Sequence, residues 1–299
     1  MNLKLKVLFE DQYIILVNKP SGMLSVSFPG FRGKTAQDIL TDMNKSRGKQ
    51  RIAVVHRLDR DTSGVMMYAC TGEAKERIMS DWQTMITERT YHCVCLRNPG
   101  AEPLKDSGII NAPLAYNKHD VAFVPKNGDG KALKESLKAV TRYKVLTRGK
   151  DYDLVACELE TGRKNQIRAH LAHLGHPVAG DTVYGGEQAG AGPDGRLGLH
   201  ARILAFKHPF TGELYRFEES EPASFAKMVG SGKTATAKPN LGLATATKPK
   251  RVRPEQTPRK VTTQRDDDFS DLRPLPGKPR PKRGATGSKF IPQAPWKGK

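Results

Sequence analysis

The sequence is short of several things at once. It has four cysteines in 299 residues, Cys70, Cys93, Cys95 and Cys157, too few for a disulfide framework in a chain of this size. Cys93-x-Cys95 could supply half of a metal site, but no second cysteine pair exists, and residues two apart on a strand share a face. No apolar run approaches the roughly 18 residues that a membrane-spanning helix requires, and the N-terminus alternates like a strand where a signal peptide would be uniformly apolar. These absences point to a cytoplasmic protein with no membrane span and no metal. Acidic residues are the fourth shortage: 31 Asp and Glu against 50 Lys and Arg leave a formal charge of +19. Such an excess suits a polyanionic partner, for which nucleic acid and an anionic membrane surface are the two candidates.

The charge is unevenly spread. Residues 1–228 carry 33 basic and 26 acidic side chains, a net of +7, whereas residues 229–299 carry 17 and 5, a net of +12. The second stretch also holds half of the 20 prolines and few large aliphatics, so it cannot bury enough apolar surface to offset its chain entropy. The expected organisation is a folded domain over 1–228 and a disordered, basic, proline-rich tail over 229–299. A domain of that length buries roughly 70% of its extended-chain surface, enough for one cooperative core. Gly232-Lys233-Thr234 resembles the end of a phosphate-binding loop only superficially, because the first glycine of that motif would fall on Lys227 and no strand precedes it.

Short β-branched or aromatic runs bounded by turn residues predict strands over 3–9, 13–18, 65–69, 91–96, 139–146 and 153–160, with a strand start at 52–55. Thr35-Ala36-Gln37-Asp38 reads as the capped start of one helix, and residues 73–87 as a second, with Ala74, Ile78, Trp82, Met85 and Ile86 inward. Residues 166–174 form a third, with Ile167, Leu171 and Leu174 inward, stopped by Gly175 at a left-handed cap and by Pro177 beyond it. Many strands, few helices and no regular βαβ alternation imply an α+β fold on a largely antiparallel sheet. The glycine-rich stretch 185–198 reads as a surface loop.

Two polar segments interrupt this pattern. His56-Arg57-Leu58-Asp59-Arg60-Asp61-Thr62-Ser63-Gly64 places five ionisable residues between two strands; alone, it is most simply a solvated hairpin loop. Thr161-Gly162-Arg163-Lys164-Asn165-Gln166-Ile167-Arg168, running on to Asp181, is equally polar and ends a strand in the same way. Two such segments can face each other across a cleft. His170, His173 and His176, three apart, are spaced too loosely on a helix for three metal ligands, so structural and nucleic-acid-contact roles are expected of them.

These segments resemble the signature motifs of the RluA-type pseudouridine synthases. The resemblance starts at Glu10-Asp11 and Asn18-Lys19-Pro20-Ser21-Gly22, runs through His56-Arg57-Leu58-Asp59, Arg89-Thr90-Tyr91 and the stretch from Gly162 to Gly185, and ends at Leu199-His200-Ala201 and His208-Pro209. His56 favours this family over the related RsuA-type enzymes, which usually have Gly there and carry an N-terminal RNA-binding domain. The absence of that domain leans toward a small stem-loop target. Lys164-Asn165 stands where the family often has Thr-His, and Arg89 where Lys is common. Neither departure is expected to touch the catalytic carboxylate.

The resemblance implies a pseudouridine synthase fold with a cleft across the sheet, and isomerisation of uridine to pseudouridine in tRNA or large-subunit rRNA by a monomer that needs no cofactor. It implies Asp59 as the nucleophile or base at C1′, Arg168 as the cation that keeps Asp59 ionised, and Tyr91 as the ring against the uracil and a candidate for removing the C5 proton. Arg57 would fill the space left by a flipped base or contact a phosphate, and His56, Arg163 and Gln166 would join it at the substrate. Asp61 reads as a turn or capping residue. Two rivals share these features: a catalytically silent RNA-binding or ribosome-assembly protein on the same fold, and a glycosylase that would release free uracil.

Overall fold

Every residue of the segment Ser63–Ala69 is buried. Its run of Val, Met, Met, Tyr and Ala has no polar side to turn to water, which is the pattern of a strand covered on both faces. The computed structural model, which describes residues 4–46, 52–230 and 233–234, places this segment inside an 11-stranded mixed sheet. In chain order the elements are β1 (Lys6–Glu10), β2 (Ile14–Lys19), α1 (Ala36–Lys45), β3 (Ala53–Val54), β4 (Ser63–Ala69), α2 (Gly72–Met85), β5 (Ile86–Leu96), β6 (Ser107–Asn111), β7 (Ala115–Tyr116) and β8 (Ala122–Phe123). There follow α3 (Gly130–Lys134), β9 (Val140–Arg148), β10 (Tyr152–Leu159), α4 (Gln166–His173), β11 (Leu199–Lys207), β12 (Leu214–Glu218), α5 (Ala223–Val229) and β13 (Lys233–Thr234). All described residues belong to one compact unit, Met1–Pro249.

The strand order is β1-β2-β4-β11-β5-β10-β9-β13, with β3 added to β4, β12 to β11 and β6 to β9. Among the described residues every pairing is antiparallel except β4 with β11. The α+β architecture is therefore as the sequence implied. Alternation along β4 divides the core: Met66 and Tyr68 pack with Ala36 and Leu40 of α1, while Val65, Met67 and Ala69 pack with Ala74, Ile78 and Met85 of α2. A third cluster sets Ile167 and Leu171 of α4 against Cys93, Cys95, Val155 and Cys157 of β5 and β10. Three of the four thiols lie in this cluster, the Cys93 sulfur 3.6 Å from that of Cys95 and 3.7 Å from that of Cys157.

Local signals account for the helix ends. Thr35 and Asp38 form a reciprocal capping box at the start of α1. Gly175, at φ 82°, closes α4 with bonds from its own N–H to Ala172 and from His176 N–H to Leu171. One expectation needs correction, and one strand is not among those expected. The helix expected over 73–87 stops at Met85, because Ile86 is already extended, at φ −78° and ψ 119°, and joins β5 opposite Phe206 of β11. Leu199–Lys207 is a full central strand, although the family motif reaches only its first three residues; burial on both sides removes the alternation that would mark it.

Val229 closes α5 with its side chain buried beside Phe225 and Val94, and β13 pairs with β9, so regular structure continues slightly past residue 228. The rest of the expected tail, 231–232 and 235–299, lies outside the described residues. Among the described residues no helix is long and apolar enough to cross a membrane, and no cluster of His, Cys, Asp or Glu could hold a metal ion.

Gly64 marks the point where β4 and β11 meet in parallel, at φ 115°, with Ala201 as its partner. A β-carbon there would sit 2.1 Å from the Ala201 carbonyl oxygen. Gly64→Ala should therefore cost about 3 kcal/mol or more, from left-handed strain and overpacking together. Urea denaturation will read this as a lowered midpoint; an unchanged midpoint would show that the two strands separate freely.

Candidate active site

The two polar segments do meet. Residues 55–62 connect β3 to β4, residues 160–165 connect β10 to α4, and both border a cavity of about 570 Å³. Asp59, Tyr91 and Arg168 line it together, as do His56, Arg57 and Arg163. Leu58 and Ile167 lie beneath in separate apolar clusters, so the cavity sits where the two halves of the sheet join.

The Asp59 loop is held from behind by the segment after β2. Lys19, fully buried, donates from Nζ to the carbonyls of Pro20 (3.1 Å), Met23 (2.7 Å) and Arg60 (2.9 Å). Burial pulls its pKa down to about 7, against the opposing pull of Asp61 and Asp59. The three carbonyls call for three N–H donors, which only the protonated ammonium has. Gly22 N–H also bonds the Arg60 carbonyl at 2.9 Å, Ser21 Oγ donates to the Asp61 carbonyl at 2.7 Å and Ser25 Oγ to that of Leu58 at 2.7 Å. Thr62 N–H closes the turn onto the Asp59 carbonyl at 3.2 Å. Asp61 is the turn residue expected, its carboxylate paired to exposed Arg60 at 3.1 Å.

Arg168 projects from the first turn of α4. Its Nε and Nη2 clamp buried Asp181 at 2.7 and 2.8 Å, and Nη1 reaches Asp59 Oδ2 at 3.4 Å. The sequence gives Arg168 a single expected partner, Asp59; the structure adds Asp181, which takes the bidentate fork and also accepts from the N–H groups of Val183 and Tyr184. Burial opposes the charge on Arg168, yet Asp181, and behind it Asp59, hold its pKa above the ordinary arginine value. Its guanidinium also lies 5.1 Å from the Tyr184 ring centre.

Asn165 corrects a second expectation. As a departure from the family pattern it is expected to leave the carboxylate untouched, but its Nδ2 donates to Asp59 Oδ2 at 2.7 Å, the shorter of the two bonds there. Its φ of 55° turns the side chain away from the end of α4, which it does not cap. The only signal in the sequence is Asn itself, one of the few residues that tolerate that conformation.

Gln166 borders the cavity, but its amide is committed inside the protein. Nε2 donates to the Val140 carbonyl and Thr141 Oγ1, both at 3.0 Å, and Oε1 accepts from Thr161 Oγ1 at 2.8 Å and Arg163 N–H at 3.0 Å. It shapes the turn instead of facing a substrate. Arg163 is exposed and bonds the Lys138 carbonyl through Nε, while Lys164 pairs with Asp120. Arg57 is exposed and, among the described residues, has no hydrogen bond or ion pair. His170 and His176 are buried on backbone and hydroxyl partners, and His173 is exposed.

The far wall is Met79, Trp82 and Gln83 of α2 with Arg89 of β5. Trp82, expected in the core, is half-buried and open to the cavity, with the Arg89 guanidinium 5.8 Å from its ring. Arg89 also donates to the Leu159 carbonyl at 3.2 Å, an approach that Gly162 permits, because a β-carbon there would lie 2.7 Å from Arg89 Nη1. Burial pushes the Tyr91 phenol up, with Arg89 opposing and Asp59 reinforcing, so it stays protonated at neutral pH.

His56 Nε2 accepts from Met67 N–H at 2.9 Å, and its ring packs on Trp82. Burial, and then Arg89, push its pKa down to about 3. Folding therefore excludes a proton that the unfolded chain binds below about pH 6.5, so stability from this group is intact at neutral pH and drains away as pH falls from 6.5 toward 3. The loss by pH 5 should be about 1–2 kcal/mol. His56→Asn, which can keep an acceptor for Met67 N–H, should flatten that slope in urea titrations between pH 7 and 5; an unchanged slope would mean that the imidazole is not kept neutral.

Residues 13–173 match the family described as RNA pseudouridylate synthase. An uncharacterized RNA pseudouridine synthase of Bacillus subtilis, YlyB, is 37% identical over 229 residues, covering 75% of this chain and 72% of that protein. The ribosomal large subunit pseudouridine synthase D of Zymomonas mobilis is 32% identical over 235 residues, covering 74% and 70%. Among solved structures, human RNA pseudouridylate synthase domain containing 1 superposes with a TM-score of 0.59 at 20% identity, over 73% of this chain and 84% of that one, a likeness of fold. Sequence match, fold and the meeting of the two motif segments agree: this chain belongs to the RNA pseudouridylate synthase family.

Proposed function

We propose that this enzyme isomerises specific uridines in structured RNA, acting in the cytoplasm as a monomer, with Asp59 as its nucleophile. The observation that carries the reading is the convergence of Asp59, Tyr91 and Arg168 on one cavity walled by cations. Large-subunit ribosomal RNA is the first substrate to try, because relatives at about 30–32% identity carry that activity in their names; transfer RNA is the second.

In the reaction the N1–C1′ bond of uridine breaks, the uracil turns, C5 joins C1′, the C5 proton leaves and N1 gains one. Nothing is oxidised or reduced. Asp59 attacks C1′ as N1 leaves and is displaced when C5 joins C1′, or takes the neighbouring C2′ proton and returns it as C5 joins, while Arg168 balances its charge. A uridine within a stem or loop must first be flipped out, at a cost of a few kcal/mol; Arg57, exposed and unpaired among the described residues, would fill the gap. Tyr91, a phenol protonated at neutral pH and held more firmly so by burial, suits contact with the uracil ring better than proton removal. His56, Arg163 and the rim cations would contact the RNA around it.

Asp59→Asn should abolish conversion while leaving RNA affinity nearly intact. The measurement is tritium release from C5-labelled uridine in a large-subunit ribosomal RNA transcript and in total transfer RNA. Retention of a tenth of wild-type turnover would sink the nucleophile assignment. Affinity without tritium release by the wild type would point to a silent binder, and free uracil to a glycosylase.

The basic segment 229–299 is proposed to add affinity without chemistry. Removal of residues 235–299, which spares the buried Val229 and β13, should leave saturating turnover unchanged and flatten the log-affinity against log-salt slope by ~0.7–0.9 for each phosphate no longer neutralised. Equal slopes for full-length and truncated protein would mean that the segment does not touch RNA.

A further inference from the structure

Both donors to the Asp59 carboxylate converge on a single oxygen. Asn165 Nδ2 lies 2.7 Å from Oδ2 and Arg168 Nη1 lies 3.4 Å from it, whereas no hydrogen bond to Oδ1 is made among the described residues. The two donors are not equivalent. Arg168 is positioned by its fork on Asp181, and its reach to Asp59 is at the outer limit of a hydrogen bond. The well-formed contact is the one from Asn165.

The backbone explains why this residue can make it. Asn165 occupies the N-cap of α4, where an Asn in extended conformation would bond the helix N–H groups. At φ 55° and ψ 19° it makes no such bond. Gln166 turns back onto the preceding loop, its side chain accepting from Arg163 N–H, and the Asn165 amide reaches into the cavity. A left-handed non-glycine residue is strained, and strain of this kind persists where the surrounding structure imposes it, commonly at functional sites.

We propose that Asn165 is a positioning residue for the isomerisation: its amide holds Oδ2 of Asp59 so that Oδ1 is presented to C1′. Resting on the reading of Asp59 as nucleophile, this also says which replacements work. Glycine takes the left-handed conformation without strain and removes the donor. Histidine tolerates that conformation and carries Nδ1 on Cγ, the same number of bonds from the backbone as Asn Nδ2. Histidine should therefore replace asparagine, and glycine should not.

The test uses the full chain and whichever of the two RNAs above the wild type modifies. Wild type, Asp59→Asn, Asn165→Gly and Asn165→His are compared for single-turnover tritium release at saturating enzyme and for RNA affinity by filter binding, after thermal melts establish that each is folded. Asn165→Gly should lose about 10- to 100-fold in rate, the scale of a misplaced reacting group, with affinity changed less than about twofold. Asn165→His should recover most of the rate. The proposal is overturned if Asn165→Gly keeps a rate within about twofold of wild type, if rate and affinity fall together, or if Asn165→His is as slow as Asn165→Gly. Activity in Asp59→Asn would instead overturn the nucleophile reading, whatever the Asn165 variants do.

Discussion

The guanidinium of Arg168, clamped by Asp181 and extended toward Asp59, is the contact on which the arrangement of the site depends. It joins a loop between β3 and β4 to a helix that follows β10, two segments more than a hundred residues apart in sequence. A buried cation with one carboxylate partner is costly to desolvate unless its remaining N–H groups are also used. Here Asp181 takes two of them in a planar fork, and the third nitrogen faces the Asp59 carboxylate. Lysine could not substitute, because an ammonium offers no rigid fork to orient the rest of the group.

Behind this contact the protein uses a second buried cation in a different way. Lys19 has three backbone carbonyls as its near partners, so it fixes the path of the chain instead of neutralising a side chain. Together with Ser21, Gly22 and Ser25 it grips the carbonyls of Leu58, Arg60 and Asp61, while the Asp59 side chain lines the cavity. The motif Asn18-Lys19-Pro20-Ser21-Gly22 is thus a scaffold for the Asp59 loop, three strands of sheet order away from the Tyr91 strand. Gly64 continues the same logic, since only a residue without a side chain allows β4 and β11 to close in parallel beneath the loop.

The elements most legible in the sequence are those with local causes: the capping box at Thr35, the left-handed Gly175, and the alternation of β10 between its neighbours. The elements it conceals are those whose cause is tertiary. β11 lies at the centre of the sheet and carries no alternation because both of its faces are covered. Ile86 and Thr87 continue the helical apolar pattern of α2, yet pairing with β11 draws them into β5. Trp82 follows the core spacing of α2 and still opens to the cavity, because the helix ends before it can be covered.

For the site, the sequence by itself determined which residue types would be present: the carboxylate at 59, the ring at 91, the arginine at 168 and the surplus of cations around them. Those are properties of short motifs, and short motifs survive reading in one dimension. Which atoms meet was decided only by the tertiary structure. Asp181 claims the Arg168 fork, Asn165 claims Asp59, and Gln166 turns inward. Hydrogen-bond partnership depends on distances of a fraction of an ångström and on backbone angles such as the φ of 55° at Asn165, and these are set by how the sheet and α4 pack, not by the order of residues along the chain.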